Sequence, residues 1–186
     1  MLRSFLTWFS LVIMATALAA CCGSTACECD DAYADAISLQ FDTVGTATSP
    51  AFVPAELETV YLVRVPRDTA QRPRADTVQL KRTTARATQP IIINNTTPFA
   101  QAGNRKLDRY SYYLYLAPAR FNAPHSFDFA IDTVKLQTNF RAEGCCTCFE
   151  NVRKQVYTNG SLVPTADLAD PDRKNALIPL PVKRQP

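Results

Sequence analysis

Hydrophobic and polar positions alternate in short runs along most of this chain, with turn residues between the runs. That period of two predicts the strands of a half-buried antiparallel sheet. Residues 36–41 place Ile37, Leu39 and Phe41 on one face. Within 57–65, Tyr61, Val63 and Val65 oppose Val60, Leu62 and Arg64, and Val78 and Leu80 alternate within 76–82. Residues 91–93 are a short apolar run, and 110–116 set Tyr112, Leu114 and Leu116 against Tyr113 and Tyr115. The run 126–140 is longer and changes phase. Phe127, Phe129 and Ile131 share one parity, whereas Val134, Leu136 and Phe140 share the other, so a bulge is expected near Asp132 and Thr133. Asn159-Gly160 predicts a two-residue turn joining Val156 and Tyr157 to Leu162 and Val163. In Ile178-Pro179-Leu180-Pro181-Val182 the prolines bar a central strand and leave an extended edge or a loose end. No stretch carries a long period of 3.6 with caps at both ends; the pattern allows at most a short helix around 166–170 or 149–154.

About seven or eight short strands without intervening helices predict a mostly β fold, a single antiparallel β-sandwich of the Greek-key, immunoglobulin-like type. The sandwich is expected over 36–165, after a tether at 21–35 and before an extended proline-rich tail at 166–186. The length of 186 residues, with 47% hydrophobic and 20% charged, fits one folded domain with short appendages.

The N-terminus is of a different kind. After Arg3, residues 5–20 run without a charge and end in small residues. As a helix this run spans about 24 Å, short of the roughly 30 Å hydrocarbon core, so a cleaved signal peptide at 1–20 is expected rather than a permanent span. Leu18-Ala19-Ala20-Cys21 resembles the lipobox of bacterial lipoproteins. The resemblance covers only the first 21 residues. It implies cleavage between Ala20 and Cys21, a diacylglycerol on the Cys21 thiol, palmitate-like acyl chains, and membrane lipid as a partner. Each buried methylene contributes about 0.8 kcal/mol, and two or more chains give stable anchoring. Position 22 is not the aspartate that retains enteric members of the family in the inner membrane, so the outer membrane is the expected address. The leaflet stays open, since Glu28, Asp30 and Asp31 lie far from Cys21 for a surface-export signal.

An exported chain changes the reading of its cysteines. Beyond Cys21, six remain in two clusters, Cys22, Cys27 and Cys29 against Cys145, Cys146 and Cys148. An even number in an oxidising compartment points to disulfides, and pairing between clusters avoids the strain of rings closed by adjacent or C-x-C cysteines. If the two segments run antiparallel, Cys27–Cys148 and Cys29–Cys146 share one index sum and lie on one face of a ladder, with Cys22–Cys145 as a looser staple. The rival is a thiolate metal or redox site, which C-x-C spacing permits but which lacks a nearby histidine.

The net charge of +3 says little about partners. Its uneven part is Arg64, Arg67, Arg72, Arg74, Lys81, Arg82 and Arg86 against Asp68 and Asp76. These residues form either a solvated strand and loop or a contact with anionic head groups. No aromatic residue interrupts the stretch, so nucleic acid is not an expected partner. His125, the single histidine, sits beside Pro124 and Ser126 without the context of a hydrolase triad. Glu56 and Glu58, two apart, are expected to share a strand face, as a solvated strand edge or, alternatively, a glycosidase pair. Asp30-Asp31 and Asp170-Pro171-Asp172 lack calcium-loop spacing, and there is no glycine-rich phosphate loop. Tyr110, Tyr112, Tyr113 and Tyr115 are the most suggestive patch, either a recognition surface or cross-strand packing. The single tryptophan, Trp8, leaves with the signal peptide, which disfavours sugar stacking. The reading is therefore a non-catalytic envelope lipoprotein that scaffolds or binds another envelope protein, with no catalytic residue, metal or cofactor expected. A cysteine-rich metal or redox lipoprotein is the alternative, and an envelope hydrolase is the third reading.

Overall fold

The alternating runs become strands. The computed structural model describes residues 29, 31–72, 74–101, 103, 105–143 and 146–184. Among them are β1 (Ile37–Phe41), β2 (Thr59–Pro66), β3 (Asp76–Lys81), β4 (Ile91–Ile93) and β5 (Tyr110–Leu116), then β6 (Phe127–Glu143), β7 (Cys146–Thr158), β8 (Ala166–Asp167) and β9 (Pro179–Val182). Helical structure among the described residues is confined to single 3-10 turns, one of them Leu107–Arg109. The strands form two sheets. The larger has the order β3-β2-β5-β6-β7-β8 and the smaller β4-β1-β9. Every pairing in the large sheet is antiparallel. In the small sheet β1 is antiparallel to β4 but parallel to β9.

The two sheets share one core. Ile37, Leu39, Phe41, Ile93, Leu180 and Val182 of the small sheet join Val60, Leu62, Tyr112, Leu114, Phe129, Ile131 and Val156 of the large one in a single buried cluster. Each fully buried aliphatic or phenylalanine side chain there contributes about 1.5–3 kcal/mol relative to exposure. Phe52 locks one flank, meeting Phe41 and Phe127 edge to face at 5.0 and 4.8 Å.

The expected bulge is present. Ile131 pairs with Thr158 and Thr133 with Tyr157, so Asp132 is the extra residue of β6. A second irregularity follows, where Gln137 and Thr138 face Arg153 and Asn151 and leave Val152 as the extra residue of β7. That insertion breaks the period of two over 149–154, which is why the stretch reads ambiguously. It is strand and not helix, and Ala166–Asp167 is likewise a strand, so neither short helix forms.

The Asn159-Gly160 turn forms with both residues at positive φ, 52° and 76°, and Ser161 N–H closes it on the Thr158 carbonyl at 3.1 Å. Its return strand is not Leu162 and Val163, however; Leu162 is 96% exposed. Pro164 follows them and has no N–H to give a ladder. Pairing resumes at Thr165, which donates to the Val156 carbonyl at 2.7 Å, and continues in β8.

The chain on either side of 36–165 also belongs to the folded body. Ala34 and Asp35, read as tether, are buried, and so are Leu168, Leu180 and Val182 in the stretch read as tail. β9 is an edge strand, as its prolines require. Leu180 and Val182 point inward while Pro179 and Pro181 face out.

Candidate functional site

The sequence singled out cysteines, and the structure joins Cys29 to Cys148. This overturns the pairing of Cys29 with Cys146 and of Cys27 with Cys148. Residue 29 belongs to no strand, so no ladder imposes the constant-sum register. Cys146 is disulfide-bonded too. Cys21, Cys22, Cys27 and Cys145, like the proposed signal peptide, lie outside the described residues. Oxidised sulfurs are not thiolate ligands, and among the described residues no group of three potential ligands could hold a metal ion.

A buried polar network continues the clamp. Asp35 accepts from Asn151 Nδ2 at 2.7 Å and from Asn95 Nδ2 at 3.0 Å, and pairs with Lys106 Nζ at 3.0 Å. Asn151 also donates to the Ala34 carbonyl at 2.7 Å and accepts from Thr138 at 2.7 Å. Lys154 Nζ donates to the carbonyls of Ala36 at 2.9 Å and Tyr33 at 3.2 Å. Desolvation lowers its pKa to about 8, against the opposing pull of Asp35, Asp167 and Asp170. Such a network, with every member satisfied, fixes one geometry. It seats residues 33–36 on β7 beside the disulfide. None of these polar residues was singled out from sequence. The available signal was Lys154, a charged residue at the same parity as the core residue Val156.

The four tyrosines do not form one surface. Tyr110 and Tyr112 are buried in the main core, where burial pushes the Tyr112 phenol up in pKa. Tyr115 lies on the opposite face of the large sheet, stacked between Tyr61 at 4.9 Å and His125 at 4.1 Å. Burial raises its pKa as well. Only Tyr113 of the four presents an exposed ring, at 44%. His125 Nδ1 lies 2.6 Å from Asp128 Oδ1, an oriented imidazole. However, the hydroxyl of the neighbouring Ser126 donates to the Leu116 carbonyl at 3.3 Å, so the adjacent serine is engaged elsewhere. Glu56 and Glu58 do not share a strand face. Glu56 binds Arg184 at 2.8 Å, and Glu58 accepts from Thr84.

The arginine stretch is dispersed by folding. Arg64 is buried between the rings of Phe99 and Tyr110, at 4.8 and 4.6 Å, and pairs with Asp76 at 3.2 Å. Arg82 lies over Phe41, donates to the carbonyls of Leu57 and Gln89, and has its pKa lowered by burial. Arg67 instead turns outward beside two arginines from elsewhere in the chain. It lines a cavity of about 720 Å³ with Arg105, Arg109, Asp68, Gln71 and Asp108. A second cavity of about 520 Å³ lies along the projecting end of the β6–β7 hairpin, between Phe140, Cys148 and Arg173. No protein-family model matches the chain, and no curated protein or solved structure matches it either.

Proposed function

We propose that this chain is an exported bacterial lipoprotein, anchored through Cys21 to the outer membrane, whose β domain is a non-catalytic scaffold for another envelope protein. The carrying observation is the Leu18-Ala19-Ala20-Cys21 motif at the end of a sixteen-residue uncharged run that follows Arg3. Two features support it. The disulfide between Cys29 and Cys148 is chemistry of oxidising compartments. The clamp beside it ties the segment that leads from position 21 to a rigid sheet. The two facing sheets, with the chain passing from one to the other between β1 and β2, β3 and β4, β4 and β5, and β8 and β9, favour a sandwich of Greek-key type as the finer description of the fold.

Mass spectrometry of the native mature chain tests the anchor. The expected N-terminal residue is a cysteine carrying a diacylglycerol thioether. A product that retains residues 1–20, or a free thiol at position 21, would overturn the reading. Crosslinking in the native membrane tests the scaffold role, with one reproducible protein partner expected and the lack of any crosslinked partner counting against it.

A further inference from the structure

We infer that the cavity lined by Arg67, Arg105 and Arg109 binds the phosphate of an anionic lipid head group, an inference that rests on the membrane-anchored reading above. The first ground is charge. Three guanidiniums meet two carboxylates, an excess of one positive charge. Asp68 accepts from Ala70 N–H at 2.9 Å in a local turn, and Asp108 lies 3.8 Å from Arg109 Nε. Arg67 and Arg105 make no ion pair among the described residues. All three cations are arginines, whose planar forks match phosphate oxygens in pairs.

The second ground is that the cavity is built rather than incidental. Arg67 N–H donates to the Arg109 carbonyl at 3.0 Å, tying the two arginine-bearing loops together. Beneath them the buried Gln71 donates to the Tyr110 hydroxyl at 3.3 Å.

The third ground is placement. β2 ends at Pro66 opposite Tyr110, the first residue of β5. β6 passes this end of the sheet, pairing Ile131 with Tyr112, and runs on to Glu143. The cavity and the projecting hairpin therefore share one end of the molecule. Lys106, next to Arg105, pairs with Asp35 at 3.0 Å and lies 4.5 Å above the Phe149 ring, adjacent to the disulfide-bonded Cys148. Eight residues lead from Cys21 to Cys29, a reach of at most about 26–29 Å. An anchor at Cys21 thus keeps this end, where Arg67 and Arg105 carry no ion-pair partner among the described residues, within about 26–29 Å of the bilayer. Arg64 and Arg82 of the arginine-rich stretch take no part, since folding buries one and ties the other to backbone carbonyls.

The test is titration of the full mature chain in neutral detergent with short-chain phosphatidylglycerol, short-chain phosphatidylcholine and inorganic phosphate. Phosphatidylglycerol is expected to bind best. Its affinity should fall about fivefold in Arg67→Gln and about fivefold in Arg105→Gln. Arg72→Gln in the same loop should change nothing, because Arg72 is bonded to the Thr69 and Gln71 carbonyls. Thermal melts identify any variant whose loss comes from misfolding, and Lys in place of each arginine then serves as the second variant, expected to retain the charge but bind less well. Undiminished binding in the variants overturns the site. Equal binding of phosphatidylcholine overturns the role of charge, and equally tight inorganic phosphate overturns the lipid as its source. The mass at Cys21 in the same sample separates the two readings. An unlipidated chain that still binds phosphatidylglycerol sinks the anchor alone, whereas a lipidated chain that does not bind it sinks this inference alone.

Discussion

The amine of Lys154 sits in a residue only 3% exposed and is satisfied by two backbone carbonyls. Taking it out of water disfavours the ammonium, so it gives up its proton near pH 8, against 10.5 in an unfolded chain. Below pH 8 both states are protonated, and the full cost of burying the charge falls on the folded one. Between pH 8 and 10.5 the unfolded chain holds more protons than the folded chain, so this group's contribution to stability rises with pH. Urea unfolding of the wild type and Lys154→Met in parallel cancels every other titrating group. The stability difference should move in favour of the wild type by up to about 3 kcal/mol between pH 8 and 10.5. A difference that stays flat would mean that the amine is solvated well enough to titrate normally. The same buried carbonyls make Lys154→Met costly at every pH, because the methionine leaves them without donors, but that cost does not vary with pH.

At the scale of elements, β9 carries the clearest consequence. Its sequence alternates proline with an apolar residue, and the structure puts Leu180 and Val182 in the core while the prolines line an outer edge. Leu180→Ala is expected to destabilise by about 2–5 kcal/mol, read as a lower thermal midpoint. A change below about 0.5 kcal/mol, typical of surface positions, would show the strand to be undocked. Strict alternation made β1 and β5 legible from sequence, and the switch of parity across Asp132 located the bulge, because one inserted residue moves every later side chain to the other face. Where alternation fails, legibility fails with it. The insertion at Val152 made the middle of β7 resemble a short helix. The apolar pair after Asn159-Gly160 resembled a return strand until Pro164 denied it a ladder. A sixteen-residue interval between the end of β4 and the start of β5 carries Asn95 and Lys106 into the clamp, and a long-range polar contact of that kind leaves no periodic trace. The arginine cavity was illegible for the same reason, since Arg67 and Arg105 meet only after folding.

For the molecule as a whole, the two ends of the chain and the large sheet are tied by separate means. β1 and β9 are neighbours in the small sheet, whereas the segment before β1 is fastened to β7 of the large sheet by the disulfide and the Asp35 network. The bond between Cys29 and Cys148 spans 119 residues. In the chain-entropy model its loss costs at most about 5 kcal/mol, the value for a loop closed by this bond alone, and less to the extent that the bridge at Cys146 constrains the same stretch of chain. The Asp35, Asn151 and Lys154 contacts do not depend on it, so a Cys29→Ser, Cys148→Ser variant should keep its native fold while unfolding more easily in denaturant, by up to that amount. Native-state hydrogen exchange tells this entropic role from a mechanical one. If the bond acts on the unfolded state, the amide of Ala36, which donates to the Tyr33 carbonyl, should lose protection only in step with global stability. If the bond instead holds the strap in place, that amide should exchange freely in the variant while the core strands stay protected. In that second case the polar network is too weak to seat the segment alone, and a load applied at the N-terminus would reach the large sheet through the two sulfurs rather than through the buried side chains.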